Sequence, residues 1–158
     1  MIVSRLRRRD FVVGSLSLAL VSCRSNGDGT SPDSGTIGPL IAASDLAARL
    51  DEVKRGRIAV LYVGPDILFD RGHIPGARKV GEAGDDEGRR ALSAALAIIS
   101  ADTEVVLYCG CCPVRSCPNV RPASAALRAL GRTNARLLDL PTRFATDWAD
   151  KGYPVERG

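Results

Sequence analysis

The run Val105-Val106-Leu107-Tyr108-Cys109-Gly110-Cys111-Cys112-Pro113-Val114-Arg115-Ser116-Cys117-Pro118-Asn119-Val120-Arg121-Pro122 decides how this chain is read. Residues 105–108 are apolar, and such a run suits a strand buried on both faces of a parallel sheet. It ends on Cys109, and a loop rich in Cys, Pro and Gly follows. Residues 123–131, with their alanines and spaced leucines, then read as a helix closed by Gly131. A thiol placed where a strand hands over to a loop and a helix meets backbone N–H groups and the positive end of the helix, and both favour an anion. The pattern predicts a thiolate nucleophile at Cys109, with Gly110 leaving room beside it.

The 158 residues are enough for one domain with a proper core. A net charge of +4 and a pI near 9.0 point at first to nucleic acid. Residues 1–22, however, hold Arg5, Arg7, Arg8 and Arg9 against the single acid Asp10. Without them the remainder is nearly neutral, its arginines are scattered and aromatic residues make up only 4% of the chain, which excludes a nucleic-acid partner.

The first 22 residues have the order of a targeting segment. Arg7-Arg8-Arg9 precedes an apolar run over 11–21, shorter than the roughly 20 residues that span a bilayer. The pair Arg8-Arg9, a spacer and Phe11 resemble a twin-arginine export signal. Leu20-Val21-Ser22-Cys23 resembles the lipobox of bacterial lipoproteins, which implies cleavage before Cys23 and lipid attachment to it. Residues 1–22 are therefore expected to be an export signal, the alternative being an uncleaved anchor helix. Residues 23–36, rich in Gly, Ser, Asp and Pro, are expected to be a flexible tether. On either reading the body, residues 37–158, is held at a membrane and faces the periplasm or the cell exterior.

Along that body, strands and helices alternate. Residues 40–42 read as a strand, and Ser44 as the N-cap of a helix over 45–54 with Leu46, Leu50 and Val53 inward and Gly56 as its stop. Residues 58–63 are the most apolar strand candidate, broken by Gly64-Pro65. A polar turn over 70–77 leads to a short strand at 77–80. Residues 85–100 read as a helix burying Leu92, Leu96 and Ile99, residues 136–140 as a strand, and residues 142–151 as a last helix carrying Phe144 and Trp148. This order predicts an α/β domain with a central parallel sheet flanked by helices on both faces.

Gly72-His73-Ile74-Pro75-Gly76-Ala77, the Cys109 loop with its Ala-rich helix, and Trp148 with Gly152-Tyr153-Pro154-Val155 stand in register. Together they resemble the rhodanese-like domain, over about residues 40–156. The resemblance implies a single small α/β domain that carries sulfane sulfur as a persulfide on Cys109. The sulfur would pass from thiosulfate or a related small sulfur-containing anion to a thiophilic acceptor such as a thiol or cyanide. It also implies that His73 is structural. Two departures stand out. The Asp-x-Arg usual after the second main strand is replaced by Tyr62-Val63-Gly64, and the segment from Gly110 to the Ala-rich helix is unusually long.

Around Cys109 the expected substrate-binding residues are Gly110, Cys111, Cys112, Arg115 and Arg121, the arginines supplying planar forks for anionic oxygens. Cys111, Cys112 and Cys117 allow several roles. In an oxidising compartment Cys117 is expected to pair with Cys111 or Cys112, or one of the three resolves an adduct on Cys109. The spacing Cys-x-Cys-Cys-x4-Cys leaves a soft ion such as Cu(I) or Zn(II) open as well. It fits no common zinc pattern, however, and neither a metal nor a cofactor is expected. Cys109-x5-Arg115 also matches the phosphate loop of Cys-dependent phosphatases and arsenate reductases, the alternative to sulfur transfer. A non-catalytic thiol- or metal-binding module is the third reading.

Overall fold

Alternation along the central strand organises the molecule. In a computed structural model, which describes residues 37–158, Val105, Leu107 and Cys109 enter the core on one face of a sheet. Val106 and Tyr108 enter it on the other, as a period of two requires. The sheet has five strands: β1 Leu40–Ala42, β2 Ile58–Tyr62, β3 Arg78–Lys79, β4 Glu104–Tyr108 and β5 Ala135–Asp139. They lie in the order β1-β5-β4-β2-β3, and every pairing is parallel. The expected export signal, Cys23 and the tether lie outside the described residues.

Helices cover both faces, as the alternating pattern predicts. On the Cys109 face lie α4 (Asp86–Ala97), burying Leu92 and Leu96, and α5 (Val120–Ala129), burying Val120, Ala123 and Leu127. The other face carries α1 (Ala43–Ala47), α2 (Leu50–Lys54), α3 (Asp66–Arg71) and α6 (Phe144–Asp147). Leu46, Leu50, Val53, Ile74 and the fully buried Trp148 fill that side of the core. The Trp148 indole N–H donates to the Pro154 carbonyl at 2.8 Å, which fixes the closing segment.

Several element boundaries differ from the sequence reading, each for a local reason. The helix expected over 45–54 is two helices. Arg49 leaves helical geometry (φ −110°, ψ 15°), and its guanidinium reaches Glu52 at 3.0 Å and Glu104 at 2.7 Å. Ser44 is not the cap, because Ala42 holds that position without a side-chain bond. Helix α3 lies where the sequence reading assigned no element before the turn over 70–77; it fits one and a half turns between Pro65 and Gly72. The last helix is interrupted at Trp148 (φ −126°, ψ −64°), where the indole turns into the core, and resumes as a short 3₁₀ turn, Ala149–Lys151. Asp85 caps α4 by accepting from the Gly88 N–H at 2.7 Å.

The boundary that matters most for the site is the start of α5. It begins at Val120, not at Ala123, so Pro122 occupies the third helical position, where its missing N–H costs no hydrogen bond. The segment between Cys109 and the helix therefore shortens to Gly110 through Asn119 and contains a 3₁₀ turn, Val114–Ser116. Cys117 stands only three residues ahead of α5.

Candidate functional site

Strand order places Cys109 beside a crevice. The C-terminal end of β4 lies between β5 and β2, which are joined to it from opposite sides of the sheet, and such a point opens a cleft at the strand ends. Cys109 follows directly, 2% exposed, and forms part of the wall of a cavity of about 400 Å³. Tyr62, Gly110, Cys111 and Phe144 line the same cavity, and so do Arg71, Arg143 and Arg157.

Two glycines make this geometry feasible. Gly110 has φ +79°, and a Cβ there would stand 2.7 Å from the Phe144 Cβ; its carbonyl accepts from the Phe144 N–H at 3.0 Å. Gly64, in the stretch that replaces the expected Asp-x-Arg, presses against the reactive sulfur itself. A Cβ at Gly64 would lie 2.6 Å from Cys109 Sγ and 2.7 Å from the Tyr62 hydroxyl. We expect Gly64→Ala to push the sulfur out of place, costing about 1–3 kcal/mol in the thermal or denaturant unfolding of the protein. Thiol reactivity at Cys109 should fall with it, by about tenfold or more in alkylation rate. Unchanged unfolding and reactivity would disprove this contact.

Four free thiols meet behind the cavity wall. Cys109 Sγ is 3.3 Å from Cys111 Sγ, which is 3.0 Å from Cys112 Sγ and 3.9 Å from Cys117 Sγ. The disulfide expected from Cys117 to Cys111 or Cys112 is not formed in this structure, since a bonded pair lies near 2.05 Å. Asn119, buried at the N-cap of α5, ties the cluster down. Its amide donates to Cys109 Sγ at 3.6 Å, while its oxygen accepts from the Gly84 N–H at 2.8 Å.

The sulfurs of the cluster do not share one environment: Cys117 is held below the ordinary thiol range and Cys109 above it. Cys117 is fully buried, and its pKa is lowered to about 5, first by a hydrogen bond from the Cys109 thiol. The N–H groups of Val120 and Asn119 add to this, and a bond from Cys112 follows. These amides open α5, so the helix end does favour an anion, but at the residue nearer to it. Cys109 is held above the ordinary thiol range because it donates toward Cys117 and because it is buried, against the opposing pull of the Cys111 N–H and Asn119. Burial, then the bonds to Cys111 and Cys117, raise Cys112 in the same way.

The expected anion partners lie elsewhere. Arg115 is exposed on the 3₁₀ turn and Arg121 on the first turn of α5, and Arg121 donates to the Arg115 carbonyl at 2.9 Å. Neither lines the cavity, and nor does Cys112; Gly110 and Cys111 do. The cationic rim is instead Arg71, Arg143 and Arg157, drawn from three separate segments that no local motif links. His73 takes the structural part expected of it. Its Nδ1 lies 2.9 Å from the Phe69 carbonyl, and its ring stacks on Phe69 with centroids 3.8 Å apart.

No protein-family model and no curated protein matches the chain. Solved structures do. A Bacillus halodurans protein, BH2092, superimposes with a TM-score of 0.57 at 19% identity, covering 75% of this chain and 77% of that one. The rhodanese-like domain of the Anabaena protein Alr3790 gives 0.54 at 21%, covering 77% and 80%. A Rhodopseudomonas palustris protein of unknown function, described as a possible tyrosine phosphatase, gives 0.52 at 18%, covering 75% and 84%.

Proposed function

From a rhodanese-like fold with a thiol cluster at the end of its central strand, we propose that the protein is a sulfurtransferase that carries sulfane sulfur on Cys109. The observation that carries this reading is where Cys109 stands: at the end of the central strand, on the cavity wall, with its sulfur within 4.8 Å of Cys117 Sγ, a thiol held below the ordinary range and so placed to exchange a proton with it. Cys109 Sγ attacks the outer sulfur of thiosulfate or a related donor as its proton passes to Cys117. The bond between the donor's two sulfurs breaks, sulfite leaves with the electron pair, and a persulfide remains on Cys109. A thiol or cyanide then attacks the outer sulfur, Cys109 leaves as a thiolate, and the proton returns from Cys117. Arg71, Arg143 and Arg157 attract the anionic donor. Incubating the protein with thiosulfate should add one sulfur, about 32 Da by its atomic mass, and subsequent cyanide should release thiocyanate. Absence of both the adduct and the product would refute the reading.

A Cys-x5-Arg hydrolase is the second reading, favoured by the likeness to the R. palustris protein. A phosphate loop of that kind aims its N–H groups and its arginine at one anion. Here the Val114 N–H is given to the Leu140 carbonyl and the Ser116 N–H to Pro113, Pro113 has none, and Arg115 is exposed outside the cavity. This geometry supports sulfur transfer over phosphate ester hydrolysis, and assaying aryl-phosphate hydrolysis beside thiosulfate turnover decides between them.

We also propose that the protein is exported and anchored through lipid on Cys23, on the strength of Leu20-Val21-Ser22-Cys23 after the apolar run. Cys23→Ser in the full-length chain should leave the precursor unprocessed or release the body from membranes. The mature mass and membrane fractionation check it, and an unchanged pattern would remove the claim.

A further inference from the structure

We propose that Cys109, Cys111 and Cys117 form a three-coordinate thiolate site for a single Cu(I) ion. Their three sulfurs all lie within 4.8 Å of one another, with two of the separations 3.3 and 3.9 Å. An ion bonded to three sulfurs at about 2.3 Å in a plane holds them about 4 Å apart, so the cluster has to open only slightly to accept one. The donor set is sulfur alone, and thiolates select soft ions such as Cu(I). The single histidine of the chain is committed to the Phe69 carbonyl and the Phe69 ring, and among the described residues no carboxylate joins this group.

The choice of three ligands over four separates Cu(I) from Zn(II). Cys112 Sγ stands 3.0 Å from Cys111 Sγ, yet it is not among the three sulfurs that all lie within 4.8 Å of one another, so the fourth corner of a zinc tetrahedron is not gathered here. Three thiolates around one monovalent cation carry a net charge of −2. The first-turn N–H groups of Val120 and Asn119 on Cys117 and the rim of Arg71, Arg143 and Arg157 offset that charge. The cavity beside Cys109 and Cys111 gives the ion its way in. No change of oxidation state is involved: Cu(I) enters as Cu(I), and the remaining thiol protons pass to solvent. Because Cys109 is a ligand, a chain holding the ion cannot hold a persulfide, so metal and sulfur exclude each other.

The test uses the whole chain, reduced and free of oxygen, titrated with Cu(I) against a coloured Cu(I) chelator and with no sulfur donor present. One equivalent should be withdrawn from the chelator, and X-ray absorption should count three sulfurs around it. Cys111→Ser, at a half-buried position that tolerates exchange, and Cys117→Ser should each weaken binding by more than about a hundredfold, beyond the loss of an outer-shell partner. Cys112→Ser should stay within a few-fold of the natural chain. The proposal is overturned if the chelator keeps its copper, if Cys112→Ser weakens binding as much as Cys111→Ser, or if Zn(II) displaces Cu(I) into a four-sulfur site. None of these outcomes depends on sulfur transfer, so the two readings stand or fall separately.

Discussion

Cys109→Ser should abolish sulfur uptake, with the 32 Da adduct absent and thiocyanate formation from thiosulfate and cyanide falling by at least about a thousandfold, as expected when a nucleophile is removed. The reason is positional. Cys109 stands where the central strand ends on the cavity wall, with Gly64 pressed against its sulfur and the Asn119 amide donating to it at 3.6 Å. Cys111 also lines the cavity, so it is the proper control. Its sulfur lies 3.3 Å from Cys109, and Cys111→Ser should reduce turnover while leaving the adduct on Cys109. If the adduct instead survives in Cys109→Ser and disappears in Cys111→Ser, the nucleophile has been misassigned by one residue pair. If both variants keep it, sulfur is not carried in this cluster at all. Serine preserves size and hydrogen bonding near Gly64 and Asn119, so a loss of activity is not to be blamed on a cavity in the core.

How much of this was legible in the chain depends on the range of the interaction concerned. The parallel sheet was readable because 58–63 and 105–108 are apolar enough for no place but a covered strand, and the position of Cys109 followed from that strand's end. The α5 start was misjudged because Pro122 looks like loop, although the first turn of a helix accepts proline. The later start moved the helix amides away from Cys117, which the Val120 and Asn119 N–H groups meet. Arg115 and Arg121 drew attention by closeness in sequence, yet they point outside the cavity. Arg71, Arg143 and Arg157 come from the end of α3, the residue ahead of α6 and the C-terminal segment, and only tertiary packing brings them together. Asn119 offered no spacing signal, since one of its two partners is the Gly84 amide, 35 residues back. Gly64 was noticed as a missing charge, whereas its physical role is the absence of a Cβ beside the sulfur.

The second large effect is expected from Cys117, which does not line the cavity beside Cys109. In the natural chain the cluster holds one negative charge as long as Cys117 is ionised, and its pKa is near 5. Sulfur capture by Cys109 needs a base for its proton, so the rate should rise with pH through a step near 5 and hold a plateau above it. Cys117→Ser removes that base together with the largest cause of the raised Cys109 pKa, leaving burial set against the Cys111 N–H and Asn119. The low step should then vanish and the onset of reactivity move toward the ordinary thiol range near 8.5, so that capture at pH 7 falls by about tenfold or more. Folding stability carries the same signature. The folded chain binds fewer protons at Cys117 than the unfolded chain between about pH 5 and the ordinary thiol pKa of about 8.5. Stability from this group therefore grows as pH rises across that window and is lost as pH falls toward 5, a slope that the serine variant should lack. Persulfide formation followed by mass against pH, with denaturant unfolding at matched pH, measures both effects. A serine variant that keeps the step near 5 would place the charge on another thiol and remove Cys117 from the mechanism.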